Sequence, residues 1–251
     1  MKKIFVSIMM LGLAMSALAV DLPKQGFGLQ IGWAQPILRL NSPTSKDTLA
    51  NTIKMNGFKV GVVYDASFIA GFGSSMGINY TFGYYTGPWK SRYVYNDFPK
   101  DRMTVSFHQL ELFVDWQYKF EVAKETYLIL YTGPTIQCGV ALGMRIDQEV
   151  ENPMTGERTR IYGDRFDAYN IGAHDDDLDP AHHAQDNSLK RLNVTWGIGA
   201  GFQYKRYFLR GGYDFGLINP YKNADFVNGN HTRGRFDQWA IKVGVYLWYA
   251  D

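Results

Sequence analysis

The chain contains 251 residues, carries a formal net charge of +2 and has a single cysteine, Cys138. A charge this small, without a basic run, disfavours nucleic acid as a partner, and one cysteine excludes an internal disulfide. Aromatic residues make up 16% of the chain, and 26 residues are glycine. No apolar run beyond the N-terminal residues approaches the roughly 20 residues of a spanning helix. This composition is typical of membrane β-barrels, whose strands are only half apolar.

The N-terminal residues have the three parts of a secretory signal peptide. Lys2 and Lys3 form a basic region, residues 4–14 are apolar, and Ala17 and Ala19 fit the small-x-small cleavage pattern. The apolar run is too short for a spanning helix, and no basic stop-transfer cluster follows it. We therefore expect residues 1–19 to be a cleaved signal peptide and residues 20–251 to form a single domain.

The rest of the chain repeatedly places apolar residues at every second position, which is the period of a β-strand. The clearest case alternates Leu110, Leu112 and Val114 with Glu111 and Asp115. One face of such a strand suits lipid, and the other suits a polar lumen. Eight segments have this pattern, at about 25–34, 55–66, 75–86, 110–120, 127–146, 192–205, 207–219 and 236–249.

The connections between these segments alternate in length along the chain. Short connections fall near 67–73, 121–126 and 205–206, whereas long ones cover about 35–54, 87–103, 147–191 and 220–235. Short periplasmic turns and long extracellular loops on an even number of strands are typical of outer-membrane barrels. In lipid, only a closed ring satisfies every strand N–H and C=O. The sequence thus predicts an all-β fold, an eight-stranded antiparallel up-and-down transmembrane β-barrel.

Large aromatic residues fall at two heights if the strands run up and down alternately. The predicted aromatic girdle has Trp33, Tyr84, Trp196 and Trp239 near the outer rim, Trp116 and Tyr118 near the inner rim, and Tyr249 in the last strand. Amphipathic rings at both membrane interfaces form such girdles. A soluble core would scatter its aromatic residues, so the sorting by height favours a membrane barrel.

Charged residues occupy the strand faces that would point into the barrel. Six of them form a predicted lumen charge network: Lys59, Glu111, Asp115, Arg210, Asp214 and Lys242. The inward positions also include Asp65, Lys119, Arg145 and Lys205. Similar estimated depths pair Glu111 with Lys242 and Arg210 with Asp214. Because eight strands leave an interior about as wide as packed side chains, a structural plug of ion pairs is favoured over a gated ion path.

The segment 147–191 holds a dense group of acidic residues and histidines. The residues with metal-ligand chemistry are His174, Asp175, Asp177, His182 and His183. The segment lacks the glycine and the distal glutamate of a helix-loop-helix calcium site, and runs of like charge usually extend into solvent. An acidic surface loop is therefore the favoured interpretation, and we predict no metal and no cofactor.

Several stretches resemble small outer-membrane β-barrel proteins that are common in Bacteroidota. They are the signal peptide, Tyr131-Thr132-Gly133-Pro134, the glycine-rich 197–201, Arg210-Gly211-Gly212-Tyr213 and the aromatic end at 245–249. The resemblance implies a bacterial outer-membrane location, contact with outer-membrane lipid, and recognition of the aromatic end by the insertion machinery. The family includes proteins of unknown role and a PorT-like component of type IX secretion.

Two classes of function are compatible with this location. The favoured one is a non-enzymatic outer-membrane barrel with surface-exposed loops, in an envelope-structural or surface-interaction role. The alternative is a subunit of a secretion machine, with partners in an envelope or secretion complex. A small ion channel and a lipid A-modifying enzyme have less support. In outer-membrane lipid A deacylases the catalytic His precedes Ser by two residues, whereas here Ser106 precedes His108 and Glu111 lies on the opposite strand face.

Overall fold

The computed structural model describes residues 25–41, 52–69, 71–91, 99–169, 189–220 and 233–250. Within these ranges no helix is long and apolar enough to cross a membrane. The predicted signal cleavage site at Ala17 and Ala19 lies outside the described residues. So do the metal-ligand candidates His174, Asp175, Asp177, His182 and His183.

The described residues fold almost entirely into β-strands. In chain order they are β1 (Gln25–Asn41), β2 (Thr52–Lys54), β3 (Asn56–Ile69), β4 (Phe72–Thr86), β5 (Lys90–Ser91), β6 (Lys100–Ala123), β7 (Thr126–Glu151), β8 (Arg158–Ile161), β9 (Arg165–Asp167), β10 (Leu192–Tyr204), β11 (Tyr207–Gly216) and β12 (Arg233–Ala250). The eight longest strands of this set coincide with the eight segments of alternating hydrophobicity.

These eight long strands close into a ring. Each pairs antiparallel with its neighbours in the order β1–β3–β4–β6–β7–β10–β11–β12, and β12 returns to β1. Closure confirms the predicted up-and-down barrel, because every long strand has a hydrogen-bonded partner on both sides. The end with the short turns is the periplasmic end and the other is the outer end. The short strands β2, β5, β8 and β9 all extend the sheet at the outer end.

The barrel is strongly staggered. The residues paired with Gly32 of β1 lead around the ring through β3, β4, β6 and β7 to Arg191. In the other direction, through β12 and β11, they lead to Gly201, which lies ten residues further along the chain. A stagger of this kind accompanies strands that tilt relative to the barrel axis. Residues at similar positions in two strands therefore differ in height, and this difference increases with each strand between them.

The strands extend into segments that the sequence assigns to long loops. β1 continues to Asn41, and β2 occupies part of the predicted loop 35–54. β6 begins at Lys100 and β7 ends at Glu151, so the outer ends of this strand pair project beyond the lipid-facing band. The projecting part carries charged residues, because strands in water need no apolar face. The alternation of apolar and polar residues marks only the part of a strand that lies in lipid, so it underestimates the length of these strands.

The barrel wall separates lipid-facing from lumen-facing residues on alternate positions. On β6, Leu110, Leu112 and Val114 are 46%, 49% and 37% exposed, whereas Glu111 and Asp115 are 2% and 5% exposed. The apolar exterior is what the hydrocarbon layer requires, and the polar side chains are enclosed by the ring. The predicted faces of the fourth segment are therefore those of β6.

A β-bulge in β7 reverses the alternation in its outer half. Gln109 pairs with Gly139 but His108 pairs with Ala141, which leaves Val140 as the extra residue. Val140 faces outward, whereas Leu142 is fully buried inside the barrel. Uninterrupted alternation along the fifth predicted segment, 127–146, puts Leu142 on the lipid face and Arg145 in the lumen. Both assignments are wrong, because one extra residue moves all following side chains to the opposite face.

A second bulge lies where β12 meets β1, near the periplasmic end. Phe27 pairs with Trp248 but Gly28 pairs with Tyr246, so Leu247 is the extra residue. Beyond it, Tyr249 turns towards the lumen and packs against Tyr246, with ring centroids 4.9 Å apart. Trp248 is exposed on the barrel exterior. The predicted place of Tyr249 in the aromatic girdle is corrected accordingly.

Candidate functional site in the barrel lumen

The periplasmic half of the lumen contains an ion cluster centred on Asp65, which we call the Asp65 cluster. Arg210 Nη2 lies 2.9 Å and Lys119 Nζ 3.0 Å from Asp65 Oδ2. The Tyr246 hydroxyl donates a hydrogen bond to the same oxygen. Arg210 is 1% exposed and Asp65 is 3% exposed, so both charges are removed from water. Such burial is tolerated only when the charges are paired and hydrogen-bonded, as they are here.

Neutral side chains complete the Asp65 cluster. Arg210 Nη1 donates to Ser75 Oγ at 2.7 Å, and Arg210 Nη2 donates to Gln117 Oε1 at 3.0 Å. Lys119 Nζ donates to Gln203 Oε1 at 3.0 Å. These acceptors come from β4, β6 and β10, so the cluster cross-links strands on different sides of the ring. It acts as a polar plug that joins the barrel walls.

A second group, the Glu111 cluster, has an ion pair at its centre. Lys59 Nζ lies 2.7 Å from Glu111 Oε2, and both side chains are almost fully buried. Glu111 Oε1 accepts hydrogen bonds from Thr81 Oγ1 at 2.7 Å, Gln109 Nε2 at 2.9 Å and Gln238 Nε2 at 3.1 Å. With these donors and Lys59, both carboxylate oxygens have partners. The cluster holds β3, β4, β6 and β12 together across the lumen.

The remaining charges of the predicted network line a small cavity beside the Glu111 cluster. Asp115, Asp214 and Lys242 face this space, whose volume is about 20 Å³. That volume is large enough for about one water molecule. Lys242 Nζ lies 5.1 Å from the centroid of the Phe113 ring, a cation–π distance. A cavity of this size does not form a continuous aqueous path through the lumen.

Apolar side chains close the outer end of the lumen, and we call this group the outer cap. Its buried members are Leu38, Ile53, Met55, Val105, Phe107, Leu142, Ala168, Tyr169, Leu189 and Phe236. The rings of Phe107 and Phe236 pack with centroids 4.9 Å apart. Ile53 of β2 pairs with Leu38 of β1, and Ala168 N, next to β9, donates to Leu142 O of β7, so these segments continue the barrel wall at the outer end and point apolar side chains inward. Together, the outer cap and the two clusters occupy the lumen formed by the described residues, from its outer end to its periplasmic half.

The structure places the six network residues in the lumen but gives them other partners than the sequence predicted. Glu111 pairs with Lys59 rather than with Lys242, and Arg210 pairs with Asp65 rather than with Asp214. The inward column of the second predicted strand already contained Asp65. The sequence did not predict that Asp65 pairs with Arg210, because the stagger between strands brings these two residues to the same height. The stagger depends on how the strands pair and is not visible in the sequence of one strand.

Two further residues that the sequence assigned to the lumen lie elsewhere. Arg145 faces outward beyond the β7 bulge and has Nε 2.9 Å from Asp147 Oδ1. Lys205 lies in the turn between β10 and β11, with Nζ 3.7 Å from Glu125 Oε2. The alternating pattern predicted inward residues correctly only where a strand continues without a bulge or a turn.

Most of the predicted aromatic girdle lies on the barrel exterior. Its exposed members are Trp33, Tyr84, Trp116, Trp196 and Trp239. Tyr118 is half-buried and packs on Phe120 with ring centroids 4.5 Å apart. Trp116 and Trp196, assigned to opposite rims by the sequence, contact each other with centroids 5.8 Å apart. The tilt of the strands therefore removes the predicted separation in height for this pair.

The residues considered for a hydrolytic triad are not brought together. Ser106 and His108 lie on the outward side of β6, with Ser106 buried beneath Arg165, whereas Glu111 lies inside with Lys59. His108 Nδ1 shares a 2.6 Å hydrogen bond with the Tyr80 hydroxyl. Ser106 Oγ accepts a hydrogen bond from Arg165. A nucleophile–base–acid arrangement needs consecutive hydrogen bonds among its members, and these three residues do not form them.

A closed antiparallel ring with an apolar exterior and a filled polar interior defines an integral outer-membrane β-barrel. Residues 26–221 match the family described as outer membrane protein beta-barrel domain, and the chain belongs to this family. Its location is accordingly the bacterial outer membrane. This class of protein is surrounded by lipid and is inserted by the general machinery of that membrane. No curated protein matches the chain.

Two solved structures with a similar fold are distant in sequence. Ail, the attachment invasion locus protein of Yersinia pestis, solved in complex with the heparin analogue sucrose octasulfate, is 10% identical, with a TM-score of 0.41 over 89% of this chain and 99% of that chain. Neisserial surface protein A is 13% identical, with a TM-score of 0.39 over 88% of this chain and 96% of that chain. At these identities the similarity concerns the fold alone.

Proposed function

We propose that this protein is a non-enzymatic outer-membrane barrel whose outer loops and strand extensions have an envelope-structural or surface-interaction role. The observation that carries the proposal is the filled interior. The outer cap, the Glu111 cluster and the Asp65 cluster together occupy the lumen, and the cavity beside them has about 20 Å³. An eight-stranded barrel filled in this way serves as a membrane anchor rather than as a pore.

The outer extension of the β6–β7 hairpin offers a structured surface for contacts. On it, β8 pairs with β7 and places Arg158 near Glu151 and Arg160 near Glu149, both at 3.1 Å. The Trp89 ring lies under the guanidinium groups of Arg102 and Arg160, at 4.6 Å and 5.7 Å. Charges of both signs around an aromatic ring are typical of polar recognition surfaces. This supports a role in contact with other envelope or surface molecules.

Conductance of the purified protein in planar bilayers tests the filled lumen. We expect no steady current, because the cap and the ion pairs leave no continuous water path. A steady, ion-selective conductance that is abolished by Lys242→Met would contradict the proposal and identify a small channel. Asp115→Asn is the matched control for Lys242→Met, because Asp115 lines the same cavity as Lys242.

Deletion of the gene, followed by comparison of surface and secreted proteomes, tests the cellular role. A surface-interaction or structural role predicts altered surface properties with normal secretion. A subunit of a secretion machine, including a PorT-like component of type IX secretion, predicts loss of a defined set of secreted proteins. Mild detergent extraction would then also recover the barrel with periplasmic secretion proteins.

A further inference from the structure

A polar pocket of about 200 Å³ lies on the exterior of the barrel at its outer end. Its lining includes Tyr84, Thr104, Ser106, Gly143, Arg145 and Arg165. Tyr84 pairs with Ser106 and Ser106 pairs with Gly143 across β4, β6 and β7, so these residues form one outward row. Arg165 comes from β9, which pairs with β7 at this height. We call this site the outer arginine pocket.

The charges in the pocket are unbalanced. Arg145 and Arg165 are cross-strand partners, and like charges directly opposite each other destabilise a sheet. Asp147 neutralises Arg145, but it also pairs with Arg102, with Nη2 2.9 Å from Oδ2. Among the described residues, no carboxylate lies within ion-pair distance of Arg165, which donates instead to Ser106 Oγ. Two guanidinium groups and three hydroxyl-bearing residues, Tyr84, Thr104 and Ser106, thus surround a space that suits an anion.

Gly143 holds the second guanidinium in place. A Cβ at this position would collide with the Nε, Nη2 and Cζ atoms of Arg165. The guanidinium can therefore lie against β7 only because residue 143 has no side chain. The colliding atoms are at the flexible end of a side chain, so an alanine at 143 displaces Arg165 without forcing the backbone to move.

The pocket lies where the apolar exterior ends. Val140 of β7 and Leu110 of β6, both about half exposed, are lipid-facing residues just below Gly143 and Ser106. Tyr84, which lines the pocket, belongs to the outward aromatic set. Aromatic rings of this kind lie at the headgroup level. The pocket therefore opens where lipid headgroups of the outer leaflet meet the barrel wall.

We propose that the outer arginine pocket binds a phosphate monoester carried by a glycolipid of the outer leaflet. Guanidinium groups bind phosphate oxygens in a bidentate manner, and the Ser106 and Thr104 hydroxyls add neutral donors. The cavity is larger than one phosphate group, which leaves room for part of an attached sugar. The ligand contacts the exterior wall, so this site is independent of the filled lumen and of any role of the loops.

The test compares two forms of one lipid. The folded protein in an uncharged, phosphate-free detergent is titrated with phosphorylated lipid A and with lipid A from which the phosphates have been removed, and native mass spectrometry measures the bound fraction. We expect the phosphorylated form to bind about tenfold or more tightly, because a charge-assisted contact is lost without phosphate. Inorganic phosphate, added at the concentration of the lipid, should not displace it.

Three variants locate the effect. Arg165→Gln and Gly143→Ala should each remove most of the preference for phosphorylated lipid A. Arg158→Gln removes the same charge from the same rim, but Arg158 pairs with Glu151 on β8 and β7, away from the pocket lining. It should bind like the original protein. The shift in gel mobility on heating shows which variants are folded, and Gly143→Ala keeps the test valid if Arg165→Gln does not fold.

Three results would overturn the proposal. Equal binding of both lipid forms would show that no phosphate is recognised. Equal loss in Arg158→Gln and Arg165→Gln would show a diffuse effect of rim charge. Displacement by an equal concentration of inorganic phosphate would show that the site binds the free anion and not a lipid.

Discussion

Asp65 is the residue with the largest electrostatic role in the described part of the lumen. Its carboxylate forms ion pairs with both Arg210 and Lys119 and accepts a hydrogen bond from Tyr246. A buried ion pair contributes little compared with an apolar replacement of the same shape, but removal of one member leaves an uncompensated charge. Asp65 has two such partners, so its loss affects more than one pair.

We predict that Asp65→Asn lowers the free energy of unfolding by about 3–5 kcal/mol, because Arg210 and Lys119 would remain buried without a counter-ion. Urea unfolding in detergent micelles, followed by tryptophan fluorescence, measures this change. The matched control is Asp115→Asn, since Asp115 is buried in the same lumen but forms no ion pair within the described part of the chain. A larger loss for Asp115→Asn than for Asp65→Asn would contradict the central role of Asp65.

The partner of Glu111 can be identified by a double-mutant cycle. Lys59→Met and Glu111→Gln should each destabilise the barrel, and their combination should restore part of the loss, with a coupling energy of about 0.5–3 kcal/mol. The same cycle with Lys242→Met should give a smaller coupling energy, because Lys242 lines the same cavity as Glu111 but does not form an ion pair with it. Strong coupling of Glu111 to Lys242 alone would favour the pairing inferred from the sequence.

At the scale of elements, the bulges in β7 and β12 decide which face the residues after them occupy. Val140 and Leu247 are the extra residues in β7 and β12. The bulge in β7 supplies Leu142 to the outer cap and turns Arg145 towards the exterior pocket. One inserted residue thus contributes both to the closed lumen and to the outer arginine pocket, because it moves all later side chains to opposite faces.

The reversal in β7 predicts different effects for two neighbouring apolar residues. Leu142→Ala should cost about 2–5 kcal/mol of unfolding free energy, because it removes packing from the outer cap. Val140→Ala should cost little in detergent, since Val140 is 48% exposed on the lipid face. Denaturant midpoints of the two variants, measured in the same detergent, provide the comparison. Similar small losses for both would mean that Leu142 faces lipid and that β7 has no bulge.

At the scale of the whole molecule, closure of the ring and filling of the lumen reinforce each other. The ring satisfies the strand backbone in lipid, and the outer cap with the two clusters links opposite walls from inside. Opening the barrel would expose backbone groups on two edges and separate several ion pairs at once. We therefore expect unfolding to be cooperative and to require heating in detergent.

This cooperativity predicts a heat-modifiable gel shift. The unheated protein in dodecyl sulfate should keep its closed barrel and migrate differently from a boiled sample of the same preparation. Membrane fractionation should recover it in the outer membrane. Identical migration before and after boiling, together with recovery from the soluble periplasm, would be incompatible with the fold.

The sequence by itself determined the eight strands of the ring, their approximate positions and the face of most of their residues. Period-two alternation is a local property, so Leu110, Glu111 and Val114 show their faces without knowledge of any other strand. Eight alternating segments with short and long connections then predict a closed barrel in the outer membrane. The lumen was also predicted to be charged, because charges occupied the inward columns, and to be filled, because eight strands leave an interior about as wide as packed side chains.

Only the tertiary structure decided which charges meet, where the alternation reverses and what closes the outer end. Pairing of Glu111 with Lys59 and of Arg210 with Asp65 depends on the stagger between strands, which is a property of the whole ring. The bulges that turn Leu142 and Tyr249 inward show themselves only in the register with a partner strand. Each of these features depends on contacts between residues far apart in the chain, and no local pattern of residues encodes them.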